Sequence, residues 1–410
     1  MPEFFNVLPP EQAFATLQTY LRSMVGSDVI PLHDSLGRVS SKNIVSPENL
    51  PGFARSTMDG FSVLARDTFG ASSSLPSYLN LIGAIQMGER TSLSIVSGLT
   101  AQAYTGGMLA NGADAVVMLE HTQILDEETI EILRPVAPGE NVVQVGEDIR
   151  KGDRVLSKGH TIRPQDIGGL SALGITSINV TSMPKVGIIS TGDELIEAEK
   201  TPQLGQIRDI NTHTISNLVR QSGGIPLNFP IVKDHLSSQI ETATEAIAQS
   251  DILVFSAGSS VSNRDMTADV FNSLGNPGVI LHGLSIKPGK PTIMAIVDGK
   301  PAIGLPGNPV SAMIVFGLIV KPTIRFMLGC IDSPPNYVTC YASKNIPSQS
   351  GREDYIPVKI VNQGDKFLAD PVFGKSNLIY TLVRADGMVK IPIDKGGIYE
   401  GESVKVFPIV

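Results

Sequence analysis

The sequence predicts a multidomain protein of the α/β-plus-β class, on three observations. Between residues 183 and 327 apolar strands alternate with amphipathic helices, the grammar of a parallel-rich sheet covered on both faces. On either side, short alternating runs are broken by glycine, proline and serine, as in small β modules. The composition fits both: 410 residues with 40 glycines and 28 prolines are 42% hydrophobic and 18% charged, which is globular and rich in turns. At this length roughly two to four domains can each own a core.

In chain order, Pro10 suits the first turn of an amphipathic helix expected over 10–24, because Phe14, Leu17, Leu21 and Met24 recur at spacings of three and four. From 45 to 141 the runs LNLIGAIQM, AVVMLEHTQIL and ETIEILRPV predict a β-rich insertion. Residues 142–182 return to the first module, with a helix near 164–173 in which Gly168-Gly169 marks close packing or a break. The α/β segment then reads as buried strand KVGIIST, helix THTISNLVRQSGG, strand IPLNFPIV, helix HLSSQIETATEAIAQS, strand DILVFSAG, helix DMTADVFNSLG and strand GVILHGLSI. PTIMAIV and KPAIGLP form a hairpin over Asp298-Gly299, a dipeptide suited to a tight turn. Asn308-Pro309 opens an apolar helix as cap and first residue. From 328 to 410 the chain is strand-like and punctuated again, which predicts a small β-barrel or sandwich. The division expected is 1–44 with 142–182, then 45–141, 183–327 and 328–410.

Several function classes drop out. The net charge of −8 and the lack of a long Lys/Arg run argue against nucleic acid as partner, while leaving room for a small anion. Two cysteines, Cys330 and Cys340, have no CxxC and no nearby histidine, so neither a zinc site nor a disulfide scaffold is expected. The N-terminal residues lack the basic start and apolar run of a signal peptide. Ala312–Val320, the longest apolar stretch, is about half of what a bilayer needs. The expectation is a soluble cytoplasmic protein without membrane contact.

Ligands of an open α/β sheet bind at the carboxyl ends of its strands. Small and polar residues occupy those ends here: Ser190-Thr191-Gly192-Asp193-Glu194, then Ser256-Ala257-Gly258-Ser259-Ser260 leading to Asp265, then Lys287-Pro288-Gly289-Lys290-Pro291, then Leu305-Pro306-Gly307-Asn308-Pro309. Such loops offer free backbone N–H groups to phosphate or another oxyanion, and four of them point to one edge. There is no GxxxxGK[ST], which disfavours ordinary ATP hydrolysis. His33, His121, His160, His213 and His235 have no metal-ligand spacing and read as surface or core residues.

An ordered set of motifs resembles the MoeA family of molybdopterin molybdenumtransferases, to which the gephyrin E domain also belongs. The motifs are Ser56-Thr57-Met58-Asp59-Gly60, Tyr104-Thr105-Gly106-Gly107, Ala113–Val117 with Glu120, Gly146-Glu147-Asp148-Ile149-Arg150, STGDEL, IRDINTHT, SIKPGKPT and LPGNPVSA. The resemblance runs from about residue 10 to 410. It implies a helical dimerisation region carrying the β-rich insertion, a three-layer α/β domain resembling MogA, and a C-terminal β-barrel. It also implies a homodimer whose active site is composite. The implied reaction takes adenylylated molybdopterin and molybdate, hydrolyses the adenylate with Mg²⁺, and releases AMP.

Residue by residue, the resemblance implies Asp265 as a Mg²⁺ ligand, for which the plainer reading is a helix N-cap. Asp234 is implied near the nucleotide, again with capping as the rival. Asp59 and Asp148 are implied as groups that position Mg²⁺ or the attacking group. Residues 190–194, Gly258, Ser259, Ser260, Pro306, Gly307 and Asn308 are implied at the adenylylated substrate. Arg208, Asp209 and Asn211 match an R-D-x-N that orders the loop or contacts substrate. Lys287, Lys290, Pro291, Ser311, Arg352 and Ser376 are implied as the molybdate pocket, and a tetrahedral dianion does call for cations plus hydroxyls or amides. The chain departs from the family pattern at Ala257, Ser262 and Asn263, and carries Gly283 where many relatives have a further lysine. Those departures keep open a non-catalytic molybdopterin-binding scaffold. The shared α/β domain keeps open the MogA reaction, molybdopterin adenylylation. Tungstate stays open beside molybdate, being nearly equal in size and charge.

Overall fold

The computed structural model describes residues 7–23, 26–257, 261–331 and 336–409, with residues 261–265 as backbone only. The centre is a six-stranded sheet in the order Ile225–Asn228, Lys185–Ser190, Ile252–Ala257, Lys300–Pro306, Ile293–Val297, Pro277–His282. The first four are parallel, and Ile293–Val297 alone runs against the rest. That opposed strand is the outgoing arm of the expected hairpin. Asp298 and Gly299 take φ values of +48° and +87°, the left-handed pair that a two-residue turn requires.

Pleating divides the strand side chains between two cores. Val186, Ile188 and Val254 face Ile215 and Val219 of helix Asn211–Gln221. Ile189, Leu253 and Phe255 face Ala243 and Ile247 of helix Leu236–Gln249, and Val270 and Phe271 of helix Val261–Leu274. All six residues of Ile252–Ala257 are buried, which explains why this strand reads as an unbroken apolar run.

The helix opened by Pro309 is longer than the apolar stretch suggested. Pro309–Val315 continues through a π turn, Phe316–Val320, into Lys321–Met327. Pro322 lacks an N–H and its ring crowds the carbonyl four residues back, so the widened turn just before it accommodates the proline. By length and mean hydropathy of 1.6 the 19-residue span would suffice to cross a membrane. Here it is a core helix: Ala312, Val315, Phe316, Ile319 and Ile324 are fully buried in one cluster with Ala13 and Leu17.

The first module holds two nine-residue helices, Pro10–Gln18 and Pro164–Ala172, and strand Ser27–Pro31 pairs antiparallel with Ser177–Thr181. The first helix stops at Gln18 although the apolar spacing runs on to Leu21. Thr19 ends it, its backbone N–H and its hydroxyl both bonding back to Thr16 O. Met24 lies outside the described residues. Gly168-Gly169 neither breaks its helix nor packs closely, since a Cβ at either position would meet nothing within 4 Å. His160 is a half-buried structural residue: its Nε2 lies 2.7 Å from Asp166, which also accepts from the Arg163 side chain at 2.9 Å. First Arg163 and then His160 hold the Asp166 carboxyl well below the usual range.

The insertion folds as a six-stranded sheet, with strands from Gly60–Val63 to Thr129–Ile132. Its two apolar clusters draw only on residues between 61 and 136. At the other end of the chain, Glu353–Gln363, Lys366–Pro371, Val338–Ala342, Ser403–Phe407 and Gly387–Ile391 close into a five-stranded barrel. A sixth strand, Ile286–Lys287, joins it from the α/β segment and pairs parallel with Glu353 and Asp354. Nothing in the sequence pattern announced that strand.

Candidate functional site

The two-residue strand Ile286–Lys287 forms part of the wall of a cavity of about 900 Å³ between the α/β segment and the barrel. Ser285 O accepts from the Glu353 N–H at 2.9 Å, and the Val310 N–H donates to Ser376 O at 3.1 Å, so backbone bonds fix both walls. Into this cavity the fold brings Lys287, Lys290, Pro291, Ser311, Arg352 and Ser376, every residue of the expected oxyanion pocket. Pro306 and Asn308 line it as well. Asn308 occupies the N-cap position but makes no capping bond. Its amide donates to Ser376 Oγ at 3.0 Å and ties the helix start to the barrel loop. Gly289 takes φ +114°, and a Cβ there would lie 2.7 Å from Val315, so the turn between the two lysines requires glycine.

Arg352 donates from Nε to Asp354 Oδ1 at 2.9 Å, and the Asp354 side chain is only 2% exposed. Behind the cavity wall, Glu353 accepts from Tyr355 Oη at 2.7 Å and pairs with Lys390 at 2.7 Å. Burial first, then the Glu353 carboxylate, pushes the Tyr355 phenol far above its ordinary value, so it stays a donor. Asp354, Gln349 and Lys375 also line the cavity and were missed in the sequence. They stand beside Arg352 and Ser376 in a stretch where the family motifs are diverged, and no periodic signal marks them.

The strand-end loops form a second, more open group. Ser190 Oγ pairs with Thr212 Oγ1 at 2.9 Å. Thr191 is 2% exposed, and its hydroxyl makes no hydrogen bond among the described residues. Asn211 draws two strand ends together by donating to Ser256 Oγ at 2.7 Å and to Gly307 O at 2.8 Å, so the R-D-x-N segment orders the loops. Asp209 accepts from the Thr212 N–H at 3.1 Å in the first turn of that helix. Glu194 folds back over Gly192, where a Cβ would lie 2.8 Å from its carboxylate.

The acidic residues are placed as follows. The Asp234 N–H donates to Asp193 Oδ1 at 3.3 Å, which sets these two residues side by side. Asp234 is not the cap of the next helix, which begins at Leu236 behind His235 and has no capping side chain. Asp265 lies in the second turn of helix Val261–Leu274, so the N-cap reading fails for it too. Gly258, Ser259 and Ser260 lie outside the described residues. Asp59 is exposed and accepts from the Thr105 N–H at 2.8 Å, while Asp148 is exposed in the loop after the insertion. Neither lines the cavity, and within one chain the fold does not bring them to it.

For a divalent cation, the donors at the strand ends are right in kind, since Mg²⁺ takes carboxylate oxygens and completes its shell with phosphate and water. Among the described residues no three His, Cys, Asp or Glu side chains converge. Gly283, where the family resemblance predicts a lysine, has φ +117°, a left-handed conformation that a lysine would adopt only with strain. The backbone here has settled on glycine.

Comparison with known proteins accounts for the arrangement. Residues 8–174 match the family model "MoeA N-terminal region (domain I and II)", 187–325 match "Probable molybdopterin binding domain", and 339–409 match "MoeA C-terminal region (domain IV)". A molybdopterin biosynthesis protein of Methanocaldococcus jannaschii is 34% identical over 415 residues, covering 98% of both chains. The molybdopterin molybdenumtransferase of Haemophilus influenzae is 30% identical over 406 residues, again covering 98% of both. A solved MoeA structure from Pyrococcus horikoshii superimposes with a TM-score of 0.86 at 31% identity, covering 98% of this chain and 100% of that one. The chain belongs to the MoeA family of molybdenum cofactor biosynthesis proteins.

Proposed function

We propose that this protein inserts molybdate into adenylylated molybdopterin with release of AMP. The observation that carries the reading is the cavity in which Lys287, Lys290 and Arg352 meet the hydroxyls of Ser311 and Ser376. Three cations and two hydroxyls in a partly enclosed site suit a tetrahedral dianion. At about 900 Å³ the cavity far exceeds a lone oxyanion and leaves room for the end of a larger substrate. The cations hold the oxyanion's charge while the two dithiol sulfurs bond to the metal and one oxygen leaves as water with the two dithiol protons. The strand-end loops would hold the adenylate, with the unpartnered Thr191 hydroxyl and backbone N–H groups facing phosphate. In the hydrolysis water adds to phosphorus and the phosphoanhydride bond breaks, so that AMP leaves.

Asp265, with Asp234, would hold Mg²⁺ against the phosphate oxygens. When bound, the ion supplies charge neutralisation at the phosphoanhydride. Asp59 and Asp148 would reach this site from a second copy in a homodimer with a composite cleft. A reduced cytoplasm suits the two free cysteines, Cys330 and Cys340. The test is AMP release from purified protein given adenylylated molybdopterin and Mg²⁺, with molybdate, with tungstate, or with neither. Oxyanion-dependent AMP release, lost in Lys287→Ala and Asp265→Ala, supports the reading and ranks the two metals. Tight adenylate binding without AMP release overturns it in favour of the scaffold.

A further inference from the structure

The oxyanion cavity contains one feature that its proposed role does not explain: a buried carboxylate. Asp354 lines the cavity and its side chain is 2% exposed, yet a negative group beside an anion site opposes binding. Its contacts resolve the conflict. Asp354 takes the Nε of Arg352 at 2.9 Å, and the two terminal nitrogens of that guanidinium make no hydrogen bond among the described residues. The carboxylate therefore occupies the inner edge of the fork and leaves the outer pair for a ligand. The backbone of Asp354 is also the register partner of Lys287 in the strand pairing that joins the barrel to the α/β segment. On its other side Asp354 pairs with Ile391, so a strand of the α/β segment and a strand of the barrel hold its backbone between them. One residue thus touches the placement of two of the cavity's cations, by side chain for Arg352 and by main chain for Lys287.

We infer that Asp354 is a positioning residue: its side chain aims the guanidinium of Arg352 at the oxyanion. The inference rests on the oxyanion reading of the cavity. Arg352 alone, on a side chain 30% exposed, would swing among rotamers. Anchored through Nε, its two remaining donors present a fixed planar face, the geometry that makes arginine selective for oxyanions. The anchor acts as a hydrogen-bond acceptor, and its full charge is not required for aiming. Asparagine therefore preserves the function and alanine removes it.

The test compares Asp354→Ala and Asp354→Asn with the full-length wild-type protein. Equilibrium dialysis against molybdate and tungstate reads the cavity, AMP binding reads the strand-end loops, and the Arg352 Nε–H resonance, assigned by its absence in Arg352→Lys, reads the side chain. Asp354→Ala is expected to weaken both oxyanions by about ten- to a hundredfold. AMP affinity should stay within about twofold of wild type, and the protected Nε–H signal should disappear. Asp354→Asn should keep both the signal and most of the affinity. Tighter oxyanion binding in either variant makes Asp354 a mere repulsive charge and overturns the inference. So does a protected Nε–H that persists in Asp354→Ala, or AMP binding lost in parallel, which would mark a general folding role. If the alanine variant does not fold, asparagine decides alone, and loss of its Nε–H signal overturns the inference. A wild-type protein that binds neither oxyanion instead overturns the molybdate reading of the cavity, while a persistent arginine signal in Asp354→Ala sinks the positioning claim by itself.

Discussion

Around the cavity, cations from two modules are held by main-chain pairing and by one buried carboxylate, whereas Asp59 and Asp148 stand exposed at the insertion sheet, whose cores draw only on residues 61–136. The first region is assembled inside one chain and owes its geometry to long-range contacts. The second belongs to a sheet with its own apolar clusters, which share no residue with those of the α/β segment. Under the proposed function, the first region would be the pre-formed side of the site and the second would complete it from another copy.

The largest effect should come from breaking each side separately. Lys287→Ala and Asp59→Ala should each lower oxyanion-dependent AMP release by about a hundredfold or more. Only Lys287→Ala should weaken molybdate binding. If the cleft is composite, subunits of the two variants mixed after dissociation should regain up to about a quarter of wild-type activity, through the hybrids that carry one intact site. Mixtures that stay inactive would show the two residues acting in the same cleft of one chain.

Stability should divide along the same line. Phe255 is fully buried at 5.4 Å, edge to face, from Phe271, and Phe255→Ala should cost about 3–5 kcal/mol in the α/β segment. Hydrogen exchange of strand Gly60–Val63 should change little, because additivity holds between cores that share no residue. Faster exchange in both would mean the modules unfold as one unit.

Acid should loosen the first module before either half of the site. Asp166 is ionised in the fold below its ordinary range, chiefly because of Arg163, so its stabilisation is complete above about pH 4 and is lost as pH falls below that. Asp166→Asn should cost on the order of 2 kcal/mol at pH 7 and flatten the acid limb of the denaturation midpoint between about pH 4 and 2. An unchanged limb would assign the acid sensitivity elsewhere. The smallest effect is expected from placing a lysine at this glycine: Gly283→Lys should cost about 1–2 kcal/mol in strain at φ +117°. It should not tighten oxyanion binding, and a gain in affinity would show that the backbone relaxes.

Much of the fold was legible because periodicity is local. The strands at 185, 252 and 300 announced themselves by unbroken apolar runs, and Asp298-Gly299 by its turn chemistry. The cavity residues were legible through their motifs, KPGKP above all. What stayed hidden depends on pairing at a distance. A two-residue strand such as Ile286–Lys287 has no period to detect, and Asp354 reads as one acid among many until Arg352 is seen against it. Helix Pro10–Gln18 stops before its apolar spacing does, because Thr19 offers its carbonyl neighbours a competing bond. The His160–Asp166 contact crosses a turn and matches no motif.

The segment 284–287 carries one more consequence, which concerns the order in which the chain is made. Its Ser285 N–H donates to Leu8 O at 2.9 Å, and its strand pairs with Glu353 and Asp354, so it joins the beginning of the described chain to the final barrel. During synthesis both lysines emerge long before the barrel does, and until it folds they have no cavity to line. A nascent or clipped chain, however well folded its α/β segment, therefore lacks this cavity. The cavity forms only once the segment that carries its lysines has paired with a strand made about 65 residues later.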